Sequence, residues 1–297
     1  MHLIEIPADN FKTYIPEDLS ECNPEQYINI CSLLYELKMG VIDQETFQIQ
    51  ATKFLVLGGK EKVREATEEI KYSNIYKIAS VLSSFFEEGE NGNLVIKQYY
   101  IHNPIEKIRG NFQYYYGPAD DFNNVSYGEY VDALSHLYDY IETEDTEFLY
   151  LLFATFYRRK RKKRHYSKDK RAAYNQEEVV VLAKKFKRQY FGVIYGFFLL
   201  FTSFNKYLQT AKIYVQGQEI DLTILYKDFP ADVKPKESDV PGIGMKSLLY
   251  TIAESGVFGT LEKVRTTSLW EILIRLYDIR KRDYDALANQ PKPQENA

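Results

Sequence analysis

The chain has 297 residues, of which 45% are hydrophobic and 27% are charged, a composition that excludes an intrinsically disordered chain and a multi-span membrane protein. This length suits one large domain or two ordinary ones. The formal net charge of −4 hides an asymmetry, because residues 158–171 carry ten Lys or Arg and one Asp, which leaves a net charge of −13 on the rest of the chain.

Two short helices are predicted after an N-terminal lead-in. The stretch Asn23-Pro24-Glu25-Gln26 has the spacing of a capping box, with proline at the first helical position. Apolar residues then recur at steps of three and four residues until Gly40. Asp43 caps a second helix that ends at Gly58-Gly59. Residues 61–88 repeat the helical period twice, with a break near Ser73-Asn74.

Cysteine spacing indicates the redox state of this region. Cys22 and Cys31 are predicted to share the first helix, where nine residues rise about 13 Å. A disulfide needs Cα atoms within about 7 Å, so we expect free, buried thiols in a reducing compartment. The N-terminus, MHLIE, has neither the basic region nor the long apolar region of a signal peptide, which favours a cytoplasmic protein.

The middle of the chain mixes strand and helix signals. Leu94 to Ile101 and Phe112 to Tyr116 are rich in β-branched and aromatic residues, which predicts short strands or an extended loop. Ser126 and Glu129 have capping-box spacing and open a helix. A more apolar helix, FLYLLFATFY, follows it and leads directly into the basic run.

The longest helix is predicted over about Gln176 to Leu208. From Gln189 to Asn205 it has no charged residue, which is the lower edge of the length that spans a membrane. Two glycines and several polar positions, isolated in a polar chain, favour the interpretation as a core helix. We therefore expect this helix to be central to the fold.

The C-terminal third contains a hairpin, a linker and a helical unit. KIYVQGQEIDLTILY (Lys212 to Tyr226) alternates apolar and polar residues around Gln216-Gly217, as a β-hairpin does. A charged, Pro-bearing stretch separates it from helices predicted at Met245 to Ser255 and from Ser268 to about Leu287. The whole pattern predicts a mainly α fold: a multi-helix, bundle-like body with one or two small β-hairpins over residues 1–228, a linker over 229–242, a C-terminal helical unit over 243–289 and a tail over 290–297.

Signatures of catalysis are not found. The chain has no GxxxxGK[ST] sequence, and Gly242-Ile243-Gly244 lacks the third glycine and the preceding strand of a dinucleotide fingerprint. Its four His and two Cys show no HExxH or CxxC spacing, and no Ser lies in a GxSxG elbow. Asp120-Asp121 is interpreted as the start of a turn or helix. We therefore expect a protein that is not an enzyme and holds no cofactor and no metal.

The basic run over residues 158–171, here called the cationic segment, allows three interpretations. Its cations would neutralise phosphates, with aromatic side chains stacking on bases; it is a solvated loop between helices; or it contacts an acidic protein partner. The acidic remainder of the chain would repel a nucleic acid. The predicted partner-binding residues are Arg158, Arg159, Lys160, Arg161, Lys162, Lys163, Arg164, Lys168, Lys170 and Arg171, together with Tyr114, Tyr115 and Tyr116, for which core or hairpin packing is the other interpretation.

Three stretches carry a resemblance to a known group of proteins. They are IPEDLSECNPEQYINICSLLY, then FLYLLFATFYRRKR with the spaced arginine of KDKRAAYNQEE, and finally IAESGVFGTLEKVRTTSLWEILIRLYDIRKRDY. In layout they resemble tail-module proteins of tailed phages and prophages of Bacteroidetes-type hosts, a group that is like tail assembly chaperones. The run of seven consecutive cations after Tyr157 is more basic than the pattern of that group.

The resemblance covers about a third of the chain and implies a role in virion morphogenesis without catalysis. It implies either a chaperone for the tail tape-measure or tube protein, or a structural protein that remains in the particle. The implied partners are other tail proteins or a second copy of the chain, with no membrane, and the implied location is the host cytoplasm or the virion. Nucleic-acid binding through the cationic segment stays open as the alternative.

Overall fold

The computed structural model describes residues 1–6, 11–57, 75–89, 92–110, 112–162, 169–227 and 245–288. Helices make up most of this part, and the strands form only small antiparallel sheets. The prediction of a mainly α fold is therefore confirmed, while the bundle-like arrangement of the body stays a prediction. The described strands form four sheets, so the expectation of one or two hairpins was too low.

The N-terminal region begins with a hairpin that the sequence analysis missed. β1 (His2–Ile6) pairs with β2 (Phe11–Ile15). α1 (Pro24–Lys38) begins as predicted, because the side chains of Asn23 and Gln26 each accept a hydrogen bond of 3.0 Å from the other residue's backbone N–H. α2 (Gln44–Leu57) follows. The break predicted near residues 73–74 lies outside the described residues.

A second small sheet follows the helices of the N-terminal region. α3 (Ile75–Phe85) is a 3-10 helix in its second half, Ser80–Phe85. It continues into β3 (Phe86–Glu88), which pairs with β4 (Leu94–Ile96). The prediction of helix up to residue 88 was therefore too long, because Phe86–Glu88 is a strand.

The central region combines a three-stranded sheet with two helices. β5 (Lys107–Arg109), β6 (Tyr114–Tyr116) and β7 (Arg158–Arg159) pair in that order. α4 (Tyr127–Thr143) begins at Ser126, whose hydroxyl accepts from the Glu129 N–H. After α5 (Thr146–Phe156), only Tyr157 precedes Arg158, where the cationic segment begins. Sequence alone placed both helices correctly.

The single long helix predicted over residues 176–208 is two helices. α6 (Gln176–Phe186) ends at Lys187, and α7 (Phe191–Thr210) begins after Tyr190, whose backbone is extended. The turn between them allows both helices to pack against α5. The long-helix prediction was wrong because neither glycine nor proline marks this turn.

The C-terminal region contains the predicted hairpin and two predicted helices, together with a short helix, Leu261–Thr266, that was not predicted. β8 (Lys212–Val215) and β9 (Gln218–Asp221) form the expected hairpin, with Gln216 and Gly217 at φ of 51° and 82° in its turn. α8 (Met245–Glu254), α9 (Leu261–Thr266) and α10 (Leu269–Ala288) follow. The linker over 229–242 and the tail over 290–297 lie outside the described residues.

α7 lies at the centre of the hydrophobic core. It is long enough and apolar enough to cross a membrane by length and composition, and 67% of its apolar window is buried inside the protein. Its N-terminal half packs closely on α1, because Gly192 and Gly196 present no side chain to that helix. The Tyr27 hydroxyl donates to the Gly196 carbonyl oxygen at 2.7 Å, so a hydrogen bond adds to the close contact.

The C-terminal helices pack into the same core. The indole N–H of Trp270 on α10 donates to the Asp121 carbonyl oxygen at 2.8 Å, and its ring lies 6.1 Å from that of Phe204 on α7. The Tyr127 N–H donates to Thr267 at 2.9 Å. Phe122 stacks on Phe204 at 4.2 Å. The 243–289 unit therefore shares buried surface with the body, as one hydrophobic core requires.

Both cysteines are free and buried, as expected. Cys31 lies on α1, whereas Cys22 precedes that helix, so the prediction that both share one helix was wrong. Burial raises the pKa of the Cys22 thiol to about 12 and also raises the pKa of the Cys31 thiol. Because the thiolate is the reactive form, both thiols are inert at neutral pH.

Candidate functional site

The two ends of the cationic segment are buried. The Arg158 and Arg171 side chains are 6% and 1% exposed, and Glu129 on α4 lies between them at 5%. A carboxylate oxygen of Glu129 lies 3.0 Å from Arg158 Nη1 and 3.3 Å from Arg171 Nη1. One carboxylate therefore holds both ends of the segment, which is the geometry of a buried ion-pair triad.

Both arginines also donate hydrogen bonds to backbone carbonyl groups. Arg158 donates from Nη1 to Thr155 at 2.7 Å and from Nε to Ala172 at 2.9 Å. Arg171 donates to Phe156 at 3.2 Å and to Asn124 at 2.5 Å. Burial lowers the pKa of the Arg158 guanidinium, and the charge of Glu129 opposes that shift.

Arg158 and Arg171 must therefore be withdrawn from the predicted partner-binding residues. Asp169 completes their surroundings, since it accepts from Arg171 Nε at 3.1 Å and from the Asn124 amide at 3.0 Å. Moving either arginine to a partner would take one of its two counter-ions away from the buried Glu129 carboxylate, which is strongly unfavourable. These two arginines are anchors of the fold.

The anchors close the base of the cationic segment as a short ladder. The Arg161 N–H donates to Lys170 and the Ala172 N–H donates to Arg159, each at 2.7 Å. Lys160, Lys162 and Lys170 are exposed at this base, as is Arg159, which lies 3.7 Å from Glu178. Arg161 is half-buried and donates from Nε to the Arg171 carbonyl oxygen at 3.0 Å. Lys163, Arg164 and Lys168 lie outside the described residues.

The three tyrosines of β6 have different environments. Tyr115 is buried, with its ring 5.0 Å from that of Phe186 on α6 and edge-on to it. It must be withdrawn as a contact residue, because the strand turns alternate side chains to opposite faces. Tyr114 is 48% exposed beneath the Lys107 ammonium group, which lies 5.5 Å from the ring centre. Tyr116 is half-buried. Only Tyr114 is well placed for a partner.

Three further exposed cations lie on and just after α6. They are Lys184, Lys185 and Arg188, and none of them forms an ion pair with the described residues. With Arg159, which lines a depression together with Lys185, they make a continuous patch that we call the α6 cationic surface. These cations were not among the predicted partner-binding residues, although KKFKR at residues 184–188 is a visible cluster of charge. These three residues fell within the helix predicted over residues 176–208, and no binding role was assigned to them.

A groove opens along the α6 cationic surface. Its volume is about 540 Å³, within the range of pockets that bind small ligands or side chains. We call it the α6 groove, and it is lined by Phe112, Tyr115, Val181, Lys184, Lys185, Phe186 and Arg188, together with Gly110, Gln113 and Gln189.

A second, polar pocket of about 610 Å³ lies over the buried triad. Glu129, Arg158, Arg161 and Asp169 line it. Deeper in the same region, Asp132 accepts from Arg265 at 2.5 Å and from the Tyr174 hydroxyl at 2.7 Å. Glu129, Asp132 and Asp169 are bonded to guanidinium groups, and Asp132 also to a phenol, so the charges of these three carboxylates are already compensated within the chain.

Metal and family comparisons complete the description of the site. Within the described ranges, no group of three or more His, Cys, Asp or Glu side chains is placed to hold a metal ion. No protein-family model, no curated protein and no solved structure gave a significant match to the chain.

Proposed function

We propose that this protein is a non-enzymatic binding protein that recognises an acidic surface of another protein through its cationic segment and the α6 cationic surface. By the resemblance described above, the partner is a tail tape-measure or tube protein, and the protein acts in phage tail assembly or as a component of the tail. The proposed locations are accordingly the host cytoplasm and the virion.

The observation that carries this proposal is how the exposed cations are presented. The ladder formed by residues 159–161 and 170–172 is fixed to α4 by a buried triad. Beside it lie the exposed Lys184 and Lys185 on α6 and Arg188 just after α6, which form no ion pair within the described part of the chain. Like charges held close together repel one another in the free protein. An acidic partner relieves that repulsion, and electrostatic complementarity gives specificity and fast association.

Lys184 and Lys185 also have a local role, because cations in the last turn of a helix interact favourably with its dipole. That interaction is worth about 0.3–1 kcal/mol and does not explain Arg159 and Arg188, which lie outside α6. The polar pocket supports a role without catalysis, since Glu129 and Asp169 in its lining and the nearby Asp132 are bonded to guanidinium groups.

Co-expression with the tape-measure and tube proteins of the same gene cluster tests the proposal. We expect a complex that co-purifies and that weakens as salt is raised. The double variant Lys162→Glu/Lys185→Glu should bind the partner about tenfold less tightly, a loss of about 1.4 kcal/mol in binding free energy. The matched control is Lys77→Glu/Lys263→Glu, which makes the same change in charge at two other exposed lysines. Absence of a complex with either protein would refute the tail assignment.

Nucleic acid is the second candidate, because the exposed cations at the base of the cationic segment would also bind phosphates. Titration of labelled DNA at low and moderate salt separates the two candidates. We expect no tight binding, given the net charge of −13 on the rest of the chain. Tight, steeply salt-dependent binding that is lost when Arg161, Lys162, Lys163 and Arg164 become Ala would establish the second candidate instead.

A further inference from the structure

Phe112 is a fully exposed aromatic side chain at the tip of a tight hairpin. Its exposure equals that of an isolated residue, although such tips usually carry Gly, Asn or Asp. The Gly110 N–H donates to the Gln113 carbonyl oxygen at 2.8 Å, which closes the turn between β5 and β6. Nothing in the described part of the chain covers the ring, so this side chain adds apolar surface without contributing to the core.

The hairpin that carries Phe112 is attached to α6 and to the residues just after it at two points. The Gln189 amide donates to the Arg109 carbonyl oxygen at 3.0 Å. Tyr115 packs on Phe186 from the opposite side of the hairpin, and Gly110 leaves room for it, since a Cβ there would lie 2.6 Å from the Tyr115 ring. Phe112 is therefore presented at the rim of the α6 groove by two elements that are tied together.

The other walls of the α6 groove are cationic and aliphatic. Lys184, Lys185 and Arg188 supply three positive charges, and Val181, which is 53% exposed, supplies apolar surface. Among the described residues that line the groove, none is acidic. An occupant must therefore bring its own negative charge together with an apolar group.

We infer that the α6 groove binds an acidic peptide segment that carries a bulky apolar side chain. The apolar side chain packs against Phe112 and Val181, while flanking Asp or Glu side chains pair with Lys184, Lys185 and Arg188. This inference rests on the proposed function and names the part of the partner that the site recognises. The net charge of −13 on the rest of the chain favours a peptide over a nucleic acid in this groove, because that charge repels a polyanion.

Fluorescence anisotropy on the full chain tests the inference. The probes are a labelled synthetic peptide in which Asp and Glu flank a central Leu-Phe pair, the same peptide with Ser-Ser at the centre, and an oligothymidylate of matched length. We expect the Leu-Phe peptide to bind about tenfold more tightly than the Ser-Ser peptide. Part of the binding free energy of one buried aromatic side chain is enough for a tenfold change in affinity. We expect the oligothymidylate to bind more weakly than either peptide.

Variants then locate the binding. Phe112→Ser should remove the tenfold preference for the Leu-Phe peptide, and Lys184→Gln/Arg188→Gln should weaken both peptides. The control Tyr214→Ser removes another exposed aromatic residue, 74% exposed, from the β8–β9 hairpin and should change nothing. Phe112 lies outside the core, so its replacement leaves the fold intact.

Three results overturn the inference. These are equal binding of the two peptides, a preference that survives Phe112→Ser, and oligothymidylate binding that is tighter than peptide binding and lost in Phe112→Ser. Failure of the inference is distinguishable from failure of the proposed function. If tail-protein binding is weakened by Lys162→Glu/Lys185→Glu and unaffected by Phe112→Ser, the proposed function stands and this occupant of the groove is wrong.

Discussion

Glu129 keeps two arginine side chains in a part of the molecule that water hardly reaches. Three charged groups there are almost fully buried, and each arginine also donates to two backbone carbonyl groups. Such groups cost several kcal/mol each to remove from water and persist only when every partner is present. Removing the one carboxylate therefore leaves two cations without their shared counter-ion.

We expect Glu129→Gln to lower the free energy of unfolding by about 3–5 kcal/mol, the usual consequence of breaking a buried ion pair. Glutamine keeps the shape of the side chain and removes only the charge. Urea-induced unfolding measures the change, with Glu142→Gln, at an exposed position of the same helix, as the control within about 0.5 kcal/mol of the parent protein. If the two variants unfold alike, the triad makes no net contribution to stability.

At the scale of elements, the packing of α1 on α7 depends on residues without side chains. A Cβ at Gly192 would overlap the Ile28 carbonyl oxygen, and one at Gly196 would lie 2.7 Å from the Tyr27 ring. The obstacle at Gly192 is backbone, which cannot rotate away as a side chain does. The separation of the two helices is therefore set at these positions.

We expect Gly192→Ala to destabilise the protein by about 1–3 kcal/mol, the range for overpacking. In a helix without such a contact the same change would stabilise by about 0.5–1 kcal/mol, so the sign of the effect reports the close approach. Thermal unfolding measures it, and Thr210→Ala at the exposed end of α7 serves as the control. A raised melting temperature for Gly192→Ala would contradict the observed spacing of the helices.

Local signals in the sequence were sufficient to predict where α1 and α4 begin. They were insufficient to predict contacts between residues that are far apart in the chain. The caps at Asn23 and Ser126 are formed within four residues, and both were predicted. The turn between α6 and α7 has no local marker, because it is favoured by packing against α5. The burial of Arg158 and Arg171 could not be predicted either, because their partner Glu129 lies 29 and 42 positions away in the sequence. The exposed cations of the segment could be predicted, and its anchors could not.

At the scale of the whole molecule, the C-terminal helices and the body share contacts. Trp270 packs on Phe204, Arg265 binds Asp132, and Leu269 N–H donates to the Val125 carbonyl oxygen at 2.9 Å. The core therefore crosses from the body to the unit that follows the predicted linker. Elements that bury surface against each other in this way tend to unfold together.

We expect a single unfolding transition in urea, with the same midpoint by fluorescence of Trp270 and by far-UV circular dichroism. Trp270 is the only tryptophan, so its fluorescence reports α10 and its contact with α7, whereas circular dichroism reports all helices. Midpoints that differ beyond experimental error would mean that the C-terminal helices unfold as a separate unit. Agreement of the midpoints would mean that one cooperative unit includes both.

The ladder formed by residues 159–161 and 170–172 also makes this protein a convenient carrier for foreign peptides. The chain leaves the ladder at Arg161 and returns at Lys170, two positions joined by a backbone hydrogen bond, while Glu129 secures the arginine at each end. An epitope or affinity tag that replaces the residues between these points would begin and end where the native chain does. Loop exchange of this kind adds little closure entropy as the insert lengthens, so inserts of different sizes should leave the helical core unchanged.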